Sequence, residues 1–177
     1  MRKLIFTAIA VCLFGATKAQ FSKNVGATVF IAKEDGGQST TAWGVTFFPR
    51  YSFGALSVGA PISLGISGST NSRVGASEGS SLTLHLPLVV DYNFGLGADP
   101  EDEGTNFGFY AGAGYGLFST SYVGVFSSGT LKANGPMARA GIRALIKEKV
   151  ITLGATYIMG GAPEKATVIG IGATIQL

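Results

Sequence analysis

Residues 81–94 read SLTLHLPLVVDYNF. Every second residue falls on one face, Leu82, Leu84, Leu86, Leu88, Val90, Tyr92 and Phe94, and the other face carries Ser81, Thr83, His85, Pro87, Val89, Asp91 and Asn93. A period of two belongs to an extended strand, not a helix. A tilted strand crosses a bilayer in about 9–11 residues, and this apolar face is longer than an ordinary globular strand and fully long enough to do so. It ends on Tyr92 and Phe94, aromatic side chains of the kind that sit at headgroup height. The stretch predicts a membrane-crossing strand, and a chain built from its repeats predicts a transmembrane β-barrel.

The composition agrees. Charged residues make up 13% of the chain, which also holds 27 glycines, whereas a soluble domain carries about 25% charged residues. Apolar residues alternate, with no spanning run after the first twenty positions. A closed barrel is the membrane solution open to such a chain, because lipid cannot satisfy a free sheet edge.

Residues 1–19 read as a cleaved secretory signal peptide: Arg2 and Lys3, an apolar run from Leu4 to Phe14, and a small-residue end at Ala19. A lipoprotein signal using Cys12 is the rival, but Val11 stands where a small residue belongs. Loss of 1–19 takes away Cys12, and with it any disulfide, thiol nucleophile or cysteine metal site. Arg2, Lys3 and Lys18 go too, so the 13 basic residues become 10 against 10 acidic ones. The formal +3 charge therefore gives no reason to expect a nucleic-acid partner. Residues 20–177 form the barrel domain.

Alternation continues through eight segments: 24–32, 40–53, 56–66, 81–94, 107–118, 136–146, 150–159 and 167–177. The expected fold is an all-β, eight-stranded, antiparallel up-and-down transmembrane barrel, an even number as bacterial barrels require. Trp43, Tyr51, Phe53, Tyr92, Phe94, Phe107, Tyr115 and Tyr157 fall on outward faces as a lipid-facing girdle. Residues 67–80 are a polar loop, 95–106 an acidic connection, and 119–134 a further loop or an extension of its hairpin beyond the membrane. The loops at 67–80 and 119–134 are where recognition of an extracellular partner is expected.

These segments resemble the small Gram-negative outer-membrane β-barrel domain family, the porin-like eight-stranded group. The carriers are FFPRYSF at 47–53, LPLVVDYNFGLG at 86–97, FGFYAGAGYG at 107–116, GPMARAGIR at 135–143 and GIGATIQL at 170–177. The last resembles the assembly signal read by the barrel-insertion machinery, but ends in Leu177 where that signal prefers an aromatic. The resemblance implies residence in the outer membrane after export to the periplasm, with membrane lipids and lipopolysaccharide as neighbours and both termini in the periplasm. It implies little about activity.

Arg50, Asp91 and Arg143 fall on inward faces toward the periplasmic end, a carboxylate expected between two guanidiniums. Together with Arg139 and His85 they form a candidate lumen charge network, read either as mutual satisfaction of buried charge or as an ion gate. Inward glycines and serines leave room for these side chains and for Tyr110 and Phe118. His85 is the one histidine. An acyl-transfer enzyme acting on lipid A would need it beside a nucleophile and a carboxylate, and the sequence places no such pair. One histidine without cysteine is no basis for a metal site. Gly112, Gly114 and Gly116 alternate within a strand and are not a phosphate loop. The expected function is a non-enzymatic outer-membrane barrel, acting as a narrow or closed pore, in membrane integrity or in loop display, with no catalytic residue, cofactor or metal assigned. The alternatives are a lipid A-modifying enzyme and a soluble exported ligand-binding barrel.

Overall fold

The computed structural model describes residues 20–33, 39–69, 81–97, 105–123, 128–161 and 166–177. Residues 1–19, where a signal peptide is expected, and most of the 67–80 and 95–106 connections lie outside the described residues. The rest is strand: β1 (Gln20–Lys33), β2 (Ser39–Phe53), β3 (Leu56–Gly59), β4 (Ile62–Ser69), β5 (Ser81–Gly95), β6 (Phe107–Val123), β7 (Ser128–Ile146), β8 (Lys149–Met159) and β9 (Thr167–Gln176). All pairings are antiparallel between neighbours, and β1 pairs with both β2 and β9, which closes the sheet.

β3 and β4 are one barrel strand interrupted at Ala60–Pro61, which brings the wall to the expected eight. Register runs unchanged through the gap, from Arg50↔Gly59 to Phe47↔Ile62 on one side and from Gly59↔Val89 to Ser63↔His85 on the other. That register sets Pro61 opposite Pro87, and neither carries an N–H for the ladder. The Ala60 amide still donates to the Pro49 carbonyl at 3.2 Å.

A row of cross-strand partners measures how the barrel closes. From Asp91 it passes through Gly112, Arg139, Thr156, Gly170, Phe30, Ala42 and Ser67, and returns to β5 at Ser81, ten residues from its start. A shear of that size over eight strands corresponds to a tilt of about 40°. At that tilt the outward positions from Leu82 to Phe94 rise roughly 30 Å along the axis, the thickness of a hydrocarbon core.

Burial follows the alternation read from the sequence. On β5 every odd residue from Ser81 to Asn93 is buried, while Leu82, Leu86, Leu88, Val90, Tyr92 and Phe94 face out. The outer wall is apolar nearly throughout, the inverse of a soluble carrier barrel. The girdle residues all stand outside. Tyr51, Phe53, Tyr92, Phe94 and Phe107 gather at the end that carries the termini and short turns, joined by Phe21 and Phe109, while Trp43, Tyr115 and Tyr157 stand nearer the opposite end. Ring pairs Phe21–Tyr51, Tyr92–Phe94 and Phe107–Phe109 lie 4.7–4.9 Å apart.

Of the two readings of 119–134, a loop or an extension of its hairpin, the described residues show the second. Its ends are strand, with Ser119↔Lys132 and Val123↔Ser128 in register, so β6 and β7 stay paired well beyond residue 118. Thr120, Leu131 and Ala133 point inward there and keep the alternation, a signal masked by the polar and small residues between them.

Candidate functional site

The interior is filled by side chains in layers, and glycines decide where large ones fit. Toward the loop end, Phe30, Phe118, Met137, Ile158 and Val168 form an apolar plug with Leu131 and Ala133 above. Phe30 and Phe118 are 2% and 1% exposed, with ring centroids 5.5 Å apart. A Cβ at Gly170 would meet the Phe30 ring at 3.0 Å, and one at Gly116 would meet Ile158 at 3.0 Å. Beyond the plug, hydroxyls of β4, β5 and β6 bond one another: Ser67 bonds Ser81 and Thr120, the latter at 2.7 Å, and Thr83 donates to Thr120 at 2.9 Å.

His85 belongs to this plug and not to a charge network. Its ring lies 4.9 Å from Phe30 and 6.4 Å from Phe118, and neither ring nitrogen has a hydrogen-bond partner among the described residues. Ser63 faces it across the β4–β5 pair, yet the Ser63 hydroxyl bonds Thr46, which bonds Thr28, each at 2.7 Å. Among the described residues no carboxylate or nucleophile engages the imidazole, which is enclosed by side chains on the inner side of the wall. The arrangement lacks the base–nucleophile contact of acyl transfer.

The charged layer lies on the turn side of the plug. The expected trio of Arg50, Asp91 and Arg143 does not meet as drawn. Asp91 pairs with Arg139, Nε to Oδ1 3.5 Å. These two are two strands apart in one cross-strand row with Gly112 between them, and a Cβ at Gly112 would sit 2.1 Å from Asp91 Oδ1. The missing side chain lets the carboxylate reach across. Arg143 instead donates to Asn93 Oδ1 at 2.6 Å, and Arg50 Nε donates to the Ser22 hydroxyl at 3.3 Å.

Tyr110 organises this layer, and sequence reading noted it only as a bulky inward residue. Arg139 and Arg143 lie 4.8 and 4.9 Å from its ring, and Arg139 also lies 4.7 Å from the Phe48 ring. Arg139 NH2 donates to the Tyr110 hydroxyl at 3.2 Å. The tyrosine tip occupies space vacated by Gly141 and Gly154, where added Cβ atoms would come within 2.6 and 1.9 Å of it. Glycines on β7 and β8 facing an inward tyrosine on β6 are the signal that locates it. Cation–ring contacts of this kind contribute about 0.5–2 kcal/mol, more when dry.

Two voids flank the charged layer. One of about 50 Å³ is lined by His85, Phe30, Phe48, Pro61, Tyr110 and Arg139, among others. The second, about 190 Å³, opens at the turn end between Arg50 and Arg143.

No family model matches the chain, and no curated protein sequence matches it. Solved structures do. The crystal structure of Neisserial surface protein A (NspA) superposes with a TM-score of 0.62 at 14% identity, over 90% of this chain and 97% of that one. Ail, the attachment invasion locus protein of Yersinia pestis, superposes with a TM-score of 0.58 at 16% identity, over 89% and 97%. Nearly complete coverage both ways at such identity shows that the fold is the small closed barrel of these proteins.

Proposed function

We propose that this chain is a non-enzymatic outer-membrane barrel with a sealed lumen, an anchor that presents its loop end to the surroundings. The observation that carries the reading is the filled interior: the Phe30–Phe118–Ile158 plug lies between the hydroxyl cluster of β4, β5 and β6 and the charged layer. A wall apolar over roughly the depth of a hydrocarbon core supports membrane residence. Of the two neighbours, one is named a surface protein and the other an attachment protein, which supports loop display over transport.

Planar-bilayer recording of refolded residues 20–177 tests the seal, with a heat-dependent gel shift to show that the barrel formed. Silence is expected, and stepwise current from the unmodified barrel overturns the reading. Orientation is tested on intact cells. A Ser77→Cys variant should react with an impermeant maleimide, and Lys147→Cys should react only after the outer membrane is opened.

A further inference from the structure

The cavity at the turn end differs from the rest of the interior in its chemistry. Its polar lining among the described residues is Gln20, Ser22, Arg50, Ser52, Arg143 and Gln176: two guanidiniums, two amides, two hydroxyls and no carboxylate. The described lumen holds three arginines against Asp91 alone, and Asp91 is engaged by Arg139. Both cavity arginines are more than nine-tenths buried. Each commits one nitrogen to the wall, Arg50 Nε to Ser22 and Arg143 NH1 to Asn93. Each also keeps a buried nitrogen with no hydrogen-bond partner among the described residues, NH1 of Arg50 and Nε of Arg143.

Three buried guanidiniums that share one described carboxylate, Asp91, are costly, and a guanidinium's planar fork matches oxyanions. Gly97, with φ of 90°, brings the turn after β5 beneath Arg143, where a Cβ would lie 2.7 Å from NH1, so the turn closes over one guanidinium without a side chain. The 190 Å³ void has room for several waters or for one compact anion with part of its shell. We propose that this cavity is a binding site for a small free oxyanion, phosphate or a carboxylate of similar size, entering from the turn end and held between Arg50 and Arg143. The barrel wall stands between the cavity and the bilayer, which selects a soluble anion over a lipid headgroup.

The test is the ³¹P linewidth of inorganic phosphate titrated with the folded barrel in a zwitterionic detergent that carries no phosphate. Saturable broadening with one site per chain is expected, relieved by sulfate or acetate but not by chloride at equal ionic strength. Arg50→Gln should weaken binding at least about tenfold, the loss of a charge-assisted contact. Lys147→Ala with Lys149→Ala, on the exposed turn, should leave it unchanged. Arg143 also holds Asn93, so an Arg143→Gln variant is read only if its gel shift shows a formed barrel; Arg50→Gln carries the test otherwise. No broadening by the unmodified barrel, or equal broadening by folded Arg50→Gln, overturns the proposal. A loss of broadening when the turn lysines are removed does the same. Equal broadening by the detergent or by lipid vesicles without the barrel would assign the anion to the amphiphile surface and refute the site.

Discussion

Gly154→Ala adds a single methyl group, and its effect should be large and conditional. The new Cβ would lie 1.9 Å from the Tyr110 hydroxyl oxygen, so the tyrosine must move by more than an ångström. It is poorly placed to do so, with Arg139 and Arg143 against its ring, Arg139 bonded to its hydroxyl, and β7 close at Gly141. Overpacking costs about 1–3 kcal/mol, and a hydrogen bond to a charged group contributes about 1.5–3 kcal/mol. Partial relaxation puts the expected loss near 3 kcal/mol. In a Tyr110→Phe background the nearest remaining atom is the ring carbon at 3.2 Å, a gap the ring can open by a few tenths of an ångström. The same Gly154→Ala change should then cost less than about 1 kcal/mol, leaving a coupling of about 2 kcal/mol between the sites. Urea unfolding of the four variants in vesicles measures it. Trp43, the single tryptophan and 65% exposed on the outer wall, reports departure from lipid. Equal costs in the two backgrounds would refute the packing account of the inward glycines.

The outer wall should show depth dependence. Leu88→Arg, at 63% exposure near the middle of the β5 face, should destabilise the barrel by about 2–4 kcal/mol, and Leu82→Arg near the loop end by about 1 or less; matched losses would contradict the placement of the membrane. Asp91→Asn leaves Arg139 without its carboxylate and should cost about 3–5 kcal/mol, whereas Asp91→Asn combined with Arg139→Met should recover most of that. The diagnostic is the urea midpoint of the double variant, and a midpoint below that of the single variant counts against the ion pair. The β7–β8 turn sets Lys147 and Glu148 at φ of 46° and 66°, the two positive values of a hairpin that favours Asn-Gly. Lys147→Asn with Glu148→Gly should stabilise the barrel by about 1 kcal/mol, seen as a higher urea midpoint, and an unchanged or lower one would show that the strain is absorbed elsewhere.

The wall was more legible than the interior, for a physical reason. Which face a residue takes depends only on its own strand and the period of two, so the outward girdle and the inward charges could be assigned one segment at a time. Who meets whom inside depends on register and shear, which no single strand encodes. Arg50, Asp91 and Arg143 share an end, and proximity along the axis suggested a trio. The shear of the wall instead sets Asp91 and Arg139 in one row, and Gly112 between them removes the obstacle. The break at Ala60–Pro61 was hidden likewise, because Pro61 fits the alternation and interrupts the ladder only where Pro87 faces it. His85 was placed inward by parity, but its aromatic surroundings come from β1 and β6, far away in the chain.

The order of the layers explains why the two ends should behave as separate compartments. Eight strands enclose an interior that side chains can fill, and this sequence fills it unevenly. Rings and branched aliphatics lie toward the loop end, where Gly116 and Gly170 make space, and guanidiniums lie toward the turns, where Gly97, Gly112 and Gly154 do. An ion entering from the turns meets arginines first, then the Thr28–Thr46–Ser63 hydroxyls, which bond one another, and then the Phe30–Phe118–Ile158 layer. Taking a charge into such a layer is prohibitively costly. Anion binding at the turn end and silence in the bilayer are therefore consequences of one arrangement, so a barrel that binds phosphate at Arg50 and also conducts would show that the plug, and not the charged layer, has been misjudged.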